Sequence, residues 1–599
     1  MATASRVLVI ACAASVRALP GLVERSAFRC HARFEIEETR WASDAEVANY
    51  VLSVISQGSG VSPRDLRRTA RLFGAMARVP PMVAVIGVPT LIALGLCCYQ
   101  LATPHLLFGV YDGDDGVYFG AAVRLSNGLF PYRDFVIVHP PGIAVLLLPL
   151  GALSHLVGAR TGLGLARCLT ALVTAGNVVL VGLLVRHRGL FTTFAAGLFL
   201  GCFPVAVAAD NTLLLEPYLA LLCLVGLVLA FEGDRLASLR RLMLAGAAFG
   251  LAGSVKIWAI FPTLVMCGYL LVRHRKALWR FVAGVVAGFA VLSGPFLVAA
   301  PTAFFRDVVA SQWLRGRRGT LTASLGSRLL QMTGVAGFNS TGTFPPDVGL
   351  LVAAALVAVI AAYFALLGPR PPLEWLLLIS AIGAVAAEFI SREFYAYYAY
   401  FPAVFIAPLC AVMLGEVIER TRAALSRSTH PRRKAGLWWL PRLAWGGGVL
   451  ATVLVVPSNA LYASSYLQAS GLNNPAPVID SAIPPGACVL SVDAVYALVA
   501  NRFTSAKEGC PALDDSYGTW IALNDGRPPD APPYSPALES LWRSWLLHAD
   551  YLIYRQDNVK IPWTPTLLHW FNRHYALVTA QTYFQIFRNT DTPAVLSPP

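Results

Sequence analysis

Long apolar runs constrain this chain more than any other feature. An α-helix crosses a hydrocarbon core of roughly 30 Å with about 20 apolar residues. Runs at 81–103, 163–185, 190–209, 213–232, 241–255, 257–272, 281–300, 348–367, 373–390, 396–415 and 439–457 meet or approach that length. Only 13% of the 599 residues are charged, far below an ordinary soluble protein. The expectation is an all-α polytopic membrane protein with about 11 transmembrane helices. The segment 139–157 is apolar too, but it carries Pro140, Pro141 and Pro149. It is expected to lie along the interface as a juxtamembrane helix and not to span.

Charge sets the orientation. The net charge of +14 would raise nucleic-acid binding in a soluble protein, but no nucleic-acid motif accompanies it here. The basic residues gather between spans instead: Arg186, His187 and Arg188; Arg235, Arg240 and Arg241; 273–276 with Arg280; and 420–434. With 139–157 left out of the count, all of these fall on one side, which the positive-inside rule makes cytoplasmic. The apolar stretch 241–272 must then turn back near Ser254–Lys256, because a single helix would put Arg241 and Arg273 on opposite faces. The resulting layout is a cytoplasmic tail over 1–78, a transmembrane domain over 79–457 and an extracytoplasmic domain over 458–599, in the plasma (inner) membrane. The tail carries no recognisable chemistry, and Met76 is an alternative start. In the last region, 487–493, 549–555 and 575–589 show the alternation of strands between proline-rich loops, which predicts a small α/β domain. The 11 cysteines show no metal-ligand spacing, so no metal site is expected. Cys488 and Cys510 would pair on an oxidising side of the membrane.

This layout collects the polar residues of the membrane region opposite the basic loops. Asp112, Asp114, Asp115, His139, Asp210, Glu216, Lys256, the loop 301–347 and residues 391–394 share one face. An acid drawn into the core costs about 2.5–3.5 kcal/mol, so several together suggest a site. Each also has an ordinary reading. Asp114 or Asp115 would serve as a helix cap, and Glu216 as a favourable charge at a helix start. Tyr395, Tyr397 and Tyr398 suit an aromatic belt, and the arginines at 306–318 suit lipid headgroups. Lys256 is harder to explain that way, because an ammonium within an apolar run needs a partner. The convergence on one face points to a single extracytoplasmic active site.

The segment YDGDDGVYFGAAVRLSNGLFPYRDFVIVHPPG (111–142) resembles the first extracytoplasmic loop of the GT-C glycosyltransferases. The pattern is nearest to protein O-mannosyltransferases and to the bacterial transferases that add aminoarabinose to lipid A. DNTLLLEPY (210–218), GLAGSVKIWAIFP (250–262), PTAFFRDVVASQWLRGRRG (301–319) and SREFYAYYAYFPA (391–403) continue the resemblance in order over 80–420. It implies an enzyme that moves one sugar from a polyprenyl-phosphate donor to an acceptor hydroxyl on a glycan, lipid or protein, with inversion. Asp114 matches the family's catalytic acid. Asp115 stands where the family usually has Glu and shares the catalytic assignment. Asp112, His139, Glu216, Lys256, Arg315, Tyr395 and Tyr398 are the candidate substrate-binding residues. An attacking hydroxyl needs a base, whereas phosphate already leaves well and needs only positive charge. Lys256 would supply that charge, with Arg306, Arg315, Arg317 or Arg318 as further candidates. Some members use a divalent cation and others none. The competing expectation is a transporter or flippase of a lipid-linked sugar, which would be built from repeated halves with broken helices; no repeat is visible.

Overall fold

The computed structural model describes residues 80–318, 322–339, 342–427, 431–469, 472–524, 534–555 and 560–592. The expected tail 1–78 lies outside the described residues. In chain order the elements that matter are α1 (Pro81–Leu101), α2 (Gly113–Ser126), α3 (Ala159–Val185), α4 (Leu215–Ala230), α5 (Leu239–Val255), α6 (Arg275–Ala299), α7 (Ser311–Arg318), α8 (Pro346–Leu366), α9 (Pro372–Ile390), α10 (Tyr400–Arg427), α11 (Pro431–Ala469) and α12 (Ser516–Leu523). By length and composition α1, α3, α6, α8, α9, α10 and the Arg442–Ser465 part of α11 can cross a membrane. The other predicted spans are shorter helices: Leu190–Gly201, α4, α5 and Ile260–Arg273. Leu148–Val157 is a short apolar helix where the juxtamembrane segment was expected.

Two local breaks have plain causes. The run 190–209 stops at Gly201 and resumes at Pro204, because the residue before a proline avoids helical backbone, and Phe203 is extended. The run 241–272 breaks where the charge argument required: α5 ends at Val255 and Lys256 is extended.

α5 and α6 form the tightest seam. A Cβ added at Gly246, Gly250, Gly284 or Gly288 would stand 2.1, 2.1, 2.0 and 2.1 Å from a carbonyl oxygen of the facing helix. Small residues four apart let two backbones touch without a hydrophobic driving force. At the end of the seam, the Ser254 hydroxyl donates to the Phe289 carbonyl at 3.2 Å, and Ser293 donates to Ser254 at 3.1 Å. Lys256 follows directly.

Opposite charges close the basic end. Arg188 reaches Asp234 at 2.7 Å and Glu374 at 2.8 Å. Arg370 reaches Glu416 at 2.9 Å, and the Tyr363 hydroxyl donates to both Glu374 and Glu416. This network ties the ends of α3, α8, α9 and α10.

After α11 the chain builds a small α/β unit. Its strands lie in the order Val489–Ser491, Tyr551–Tyr554, Gln585–Asn589, Tyr575–Ala580; the first pair is parallel and the others antiparallel. The expected strand 575–589 is thus a hairpin. Trp520, Trp542, Leu538 and Leu552 fill the core, and Cys488 is bonded to Cys510. The unit rides on α2, where a Cβ on Gly116 would come within 2.4 Å of the Val495 nitrogen.

Candidate active site

The acidic loop turns into α2 by capping itself. Asp112 Oδ1 accepts the Asp114 N–H at 2.9 Å, which places Asp114 and Asp115 in the first helical turn. Consecutive helical residues diverge by about a quarter-turn, and these two part company. Asp115 is fully buried. Its Oδ2 accepts Arg167 Nε at 3.0 Å, Arg167 Nη2, and the Thr212 hydroxyl at 2.9 Å. Arg167, fully buried in α3, also donates to the Gly109 carbonyl at 3.0 Å and the Leu107 carbonyl at 3.1 Å. The pair therefore fixes the loop to the bundle. Asp114 is half-buried and accepts the Tyr397 hydroxyl at 2.7 Å. Asp112 and Tyr397 line one cleft together with Tyr111, Thr212, Leu214 and Ala396. Loss of water around the Asp112 carboxylate, reinforced by the charges of Asp114 and Asp115, pushes it up to about 8.

A cationic arm lies across the tyrosines. Tyr395 and Tyr397 stack at 5.5 Å, with Tyr398 edge-on to Tyr397 at 5.1 Å. Lys256 Nζ stands 4.2 Å from the Tyr398 ring centre and 3.5 Å from that of Trp258, and it is salt-bridged to Glu216. Cation–π contacts of this kind hold an ammonium in place once water is excluded. Arg315 of α7 is salt-bridged to Glu393 and lies 5.9 Å from the Tyr395 ring and 5.3 Å from the Tyr517 ring. The second Glu393 oxygen accepts the Tyr517 hydroxyl at 2.6 Å. The His139 ring meets Tyr118 edge-on at 5.8 Å. Loss of water around that ring, then the charges of Lys256 and Arg315, hold His139 well below its usual range, so it is neutral at pH 7. From the C-terminal unit, Asp515 caps α12 by accepting the Gly518 N–H at 2.6 Å. Burial raises Asp515 to about 6 against the pull of that N–H and Lys560, and the Asp114 charge adds to the rise.

All nine residues expected from the sequence therefore belong to one connected region: Asp112, Asp114, Asp115, His139, Glu216, Lys256, Arg315, Tyr395 and Tyr398. Arg306 instead pairs with its neighbour Asp307, and the side chains of Arg317 and Arg318 lie outside the described residues. Among the described residues no three His, Cys, Asp or Glu converge as a metal site, and no step is assigned to a cation. Sequence reasoning passed over Arg167, Thr212, Trp258 and Tyr517, and it included Glu393 only within residues 391–394. Arg167 had a signal, because it is a charge inside the predicted span 163–185. Tyr517 had none, since only the fold brings the C-terminal unit over α7.

The arrangement offers the half-buried Asp114, bonded to Tyr397, at one side and two salt-bridged cations beside the neighbouring tyrosines at the other. Residues 137–391 match the model of glycosyltransferase family 87. ArnT from Cupriavidus metallidurans bound to undecaprenyl phosphate is similar at TM-score 0.52 and 18% identity, over 86% of this chain and 99% of that one. Its apo state gives 0.50 at 17%, over the same shares. The Archaeoglobus fulgidus oligosaccharyltransferase tethered with an acceptor peptide gives 0.44 at 13%, over 85% of this chain and 74% of that one. A search of curated proteins finds no match.

Proposed function

We infer that this multi-pass membrane chain of GT-C fold, matched over 137–391 by glycosyltransferase family 87, moves a monosaccharide from a polyprenyl-phosphate donor to an acceptor hydroxyl. The observation that carries the reading is the network that joins Asp114 through Tyr397 and Tyr398 to Lys256, and through Tyr397 and Tyr395 to Arg315. Asp114 takes the proton from the acceptor hydroxyl as its oxygen bonds to the anomeric carbon. The bond from that carbon to the phosphate oxygen breaks, and its electron pair stays with the phosphate. Lys256 and Arg315 meet the growing negative charge. Attack from the face opposite the phosphate inverts the carbon. Glu216 fixes the Lys256 ammonium beside Trp258 and Tyr398, and Asp115 holds the loop while Asp114 does the chemistry.

The undecaprenyl phosphate in the ArnT structure supports a lipid-linked donor. A basic end closed by ion pairs favours transfer over flipping, because a flippase must open both ends in turn. The site and residues 458–599 face the extracytoplasmic side of the plasma membrane, where a glycan, lipid or protein supplies the acceptor.

The test is transfer of labelled sugar in membranes, with a panel of polyprenyl-phosphate sugars and Asp114→Asn beside wild type. Loss of a general base lowers turnover by about 10²–10⁴-fold, with insertion and thermal stability unchanged. Full activity in the variant ends the base assignment; well-inserted wild type that transfers from no donor moves the reading to a flippase.

A further inference from the structure

The residue that the C-terminal unit contributes to the cationic arm is Tyr517, and its role is not that of a second ligand. Glu393 is 2% exposed and Arg315 8% exposed, so their geometry is set by partners and not by water. A free carboxylate takes an arginine through both oxygens, in a two-bonded fork. Here the Tyr517 hydroxyl occupies one Glu393 oxygen, and Arg315 Nε takes the other. The guanidinium is thus held by its edge, between the rings of Tyr395 and Tyr517. Its terminal nitrogens are kept from closing a fork on Glu393, and a fork is what grips phosphate oxygens. Tyr517 sits in the first turn of α12, which packs on α7. The cap of that same turn is Asp515, within reach of the Asp114 charge. One helical turn of the C-terminal unit therefore neighbours both Asp114 and the Arg315–Glu393 pair. The chain just before α7, Phe305–Ala310, is π-helical, a widened turn that recurs at functional sites.

We propose that Tyr517 is a positioning residue that holds the Arg315 guanidinium ready for the donor phosphate, so that the seating of the C-terminal unit governs donor affinity. This rests on the glycosyltransferase reading above. Without the hydroxyl, Glu393 turns to take Arg315 through both oxygens, which swings the free edge of the guanidinium away from the donor phosphate.

The experiment is titration of undecaprenyl phosphate into the purified full chain in detergent, alongside the transfer assay. Tyr517→Phe keeps the ring and removes only the hydroxyl. One hydrogen bond corresponds to roughly three- to tenfold in affinity. Tyr517→Phe should weaken undecaprenyl phosphate binding by that factor and lower kcat/KM for the donor by at least as much, with the thermal midpoint unchanged, a split that general loosening of the fold would not give. In a Glu393→Gln background the same substitution should add nothing, because a neutral amide no longer competes for the arginine. Unchanged binding in Tyr517→Phe, or a full further loss in the Glu393→Gln background, overturns the positioning role alone. Wild type that fails to bind undecaprenyl phosphate overturns the donor reading and the positioning role together.

Discussion

At the scale of single residues, Asp112 gives the site a pH signature. Its carboxyl is raised from 3.8 to about 8. Between those values the folded loop keeps a proton that the unfolded chain has released, so stability falls as pH rises through that window and levels above it. Asp112→Asn keeps an oxygen for the Asp114 N–H but cannot titrate. Its thermal midpoint should therefore lose that slope, and a wild-type curve parallel to the variant's from pH 5 to about 8 would contradict the assignment. The acids and Lys256 were legible in the sequence because a charge beside an apolar run is costly and needs a reason. Which acid does what was not. Asp114 and Asp115 are adjacent and chemically alike, and only Arg167 on α3 draws one inward and leaves the other half-buried against the Tyr397 hydroxyl. Breaking such a buried pair from one side costs about 3–5 kcal/mol, so Asp115 is committed to structure whatever it adds to catalysis.

At the scale of elements, the α5–α6 seam sets where Lys256 stands. The seam's glycines have no room for a methyl group, whereas a Cβ at Gly253 would meet only the Phe289 ring at 3.7 Å. Gly250→Leu should lower stability by at least the 1–3 kcal/mol of ordinary overpacking, about that much again if the backbones separate. It should also reduce transfer, because the displaced seam carries Lys256 with it. Gly253→Ala should leave both unchanged. Thermal unfolding and transfer measured on the two variants separate a true seam from a general intolerance of bulk. The spacing Gly246–Gly250 and Gly284–Gly288 stood in the sequence, yet spacing names no partner; only the fold sets the two pairs face to face. The turn at Lys256 was legible because charge sorting demanded it. The break at Phe203–Pro204 was hidden within a run that is apolar on both sides of it.

At the scale of the whole molecule, apolar runs and basic loops carried the architecture, and the small C-terminal unit was visible as strands but not as a neighbour of the cleft. Orientation can be read by labelling. Ser481 lies exposed on the C-terminal unit and Ser426 exposed at the basic end. In a background without free cysteines, Ser481→Cys should react with an impermeant reagent on intact cells, and Ser426→Cys only after permeabilisation. The opposite pattern would invert the topology. The stitching of α3, α9 and α10 by Arg188, Glu374, Arg370 and Glu416 has a further bearing on how such a molecule is supplied. On the transferase reading, a bundle sewn shut at that end would trade on the leaflet at the other end alone. Each sugar so delivered would leave one spent carrier there, with no return route through the sewn end. Sustained throughput would then be limited by whichever other protein recycles the carrier, and overproducing this chain alone would exhaust its own supply.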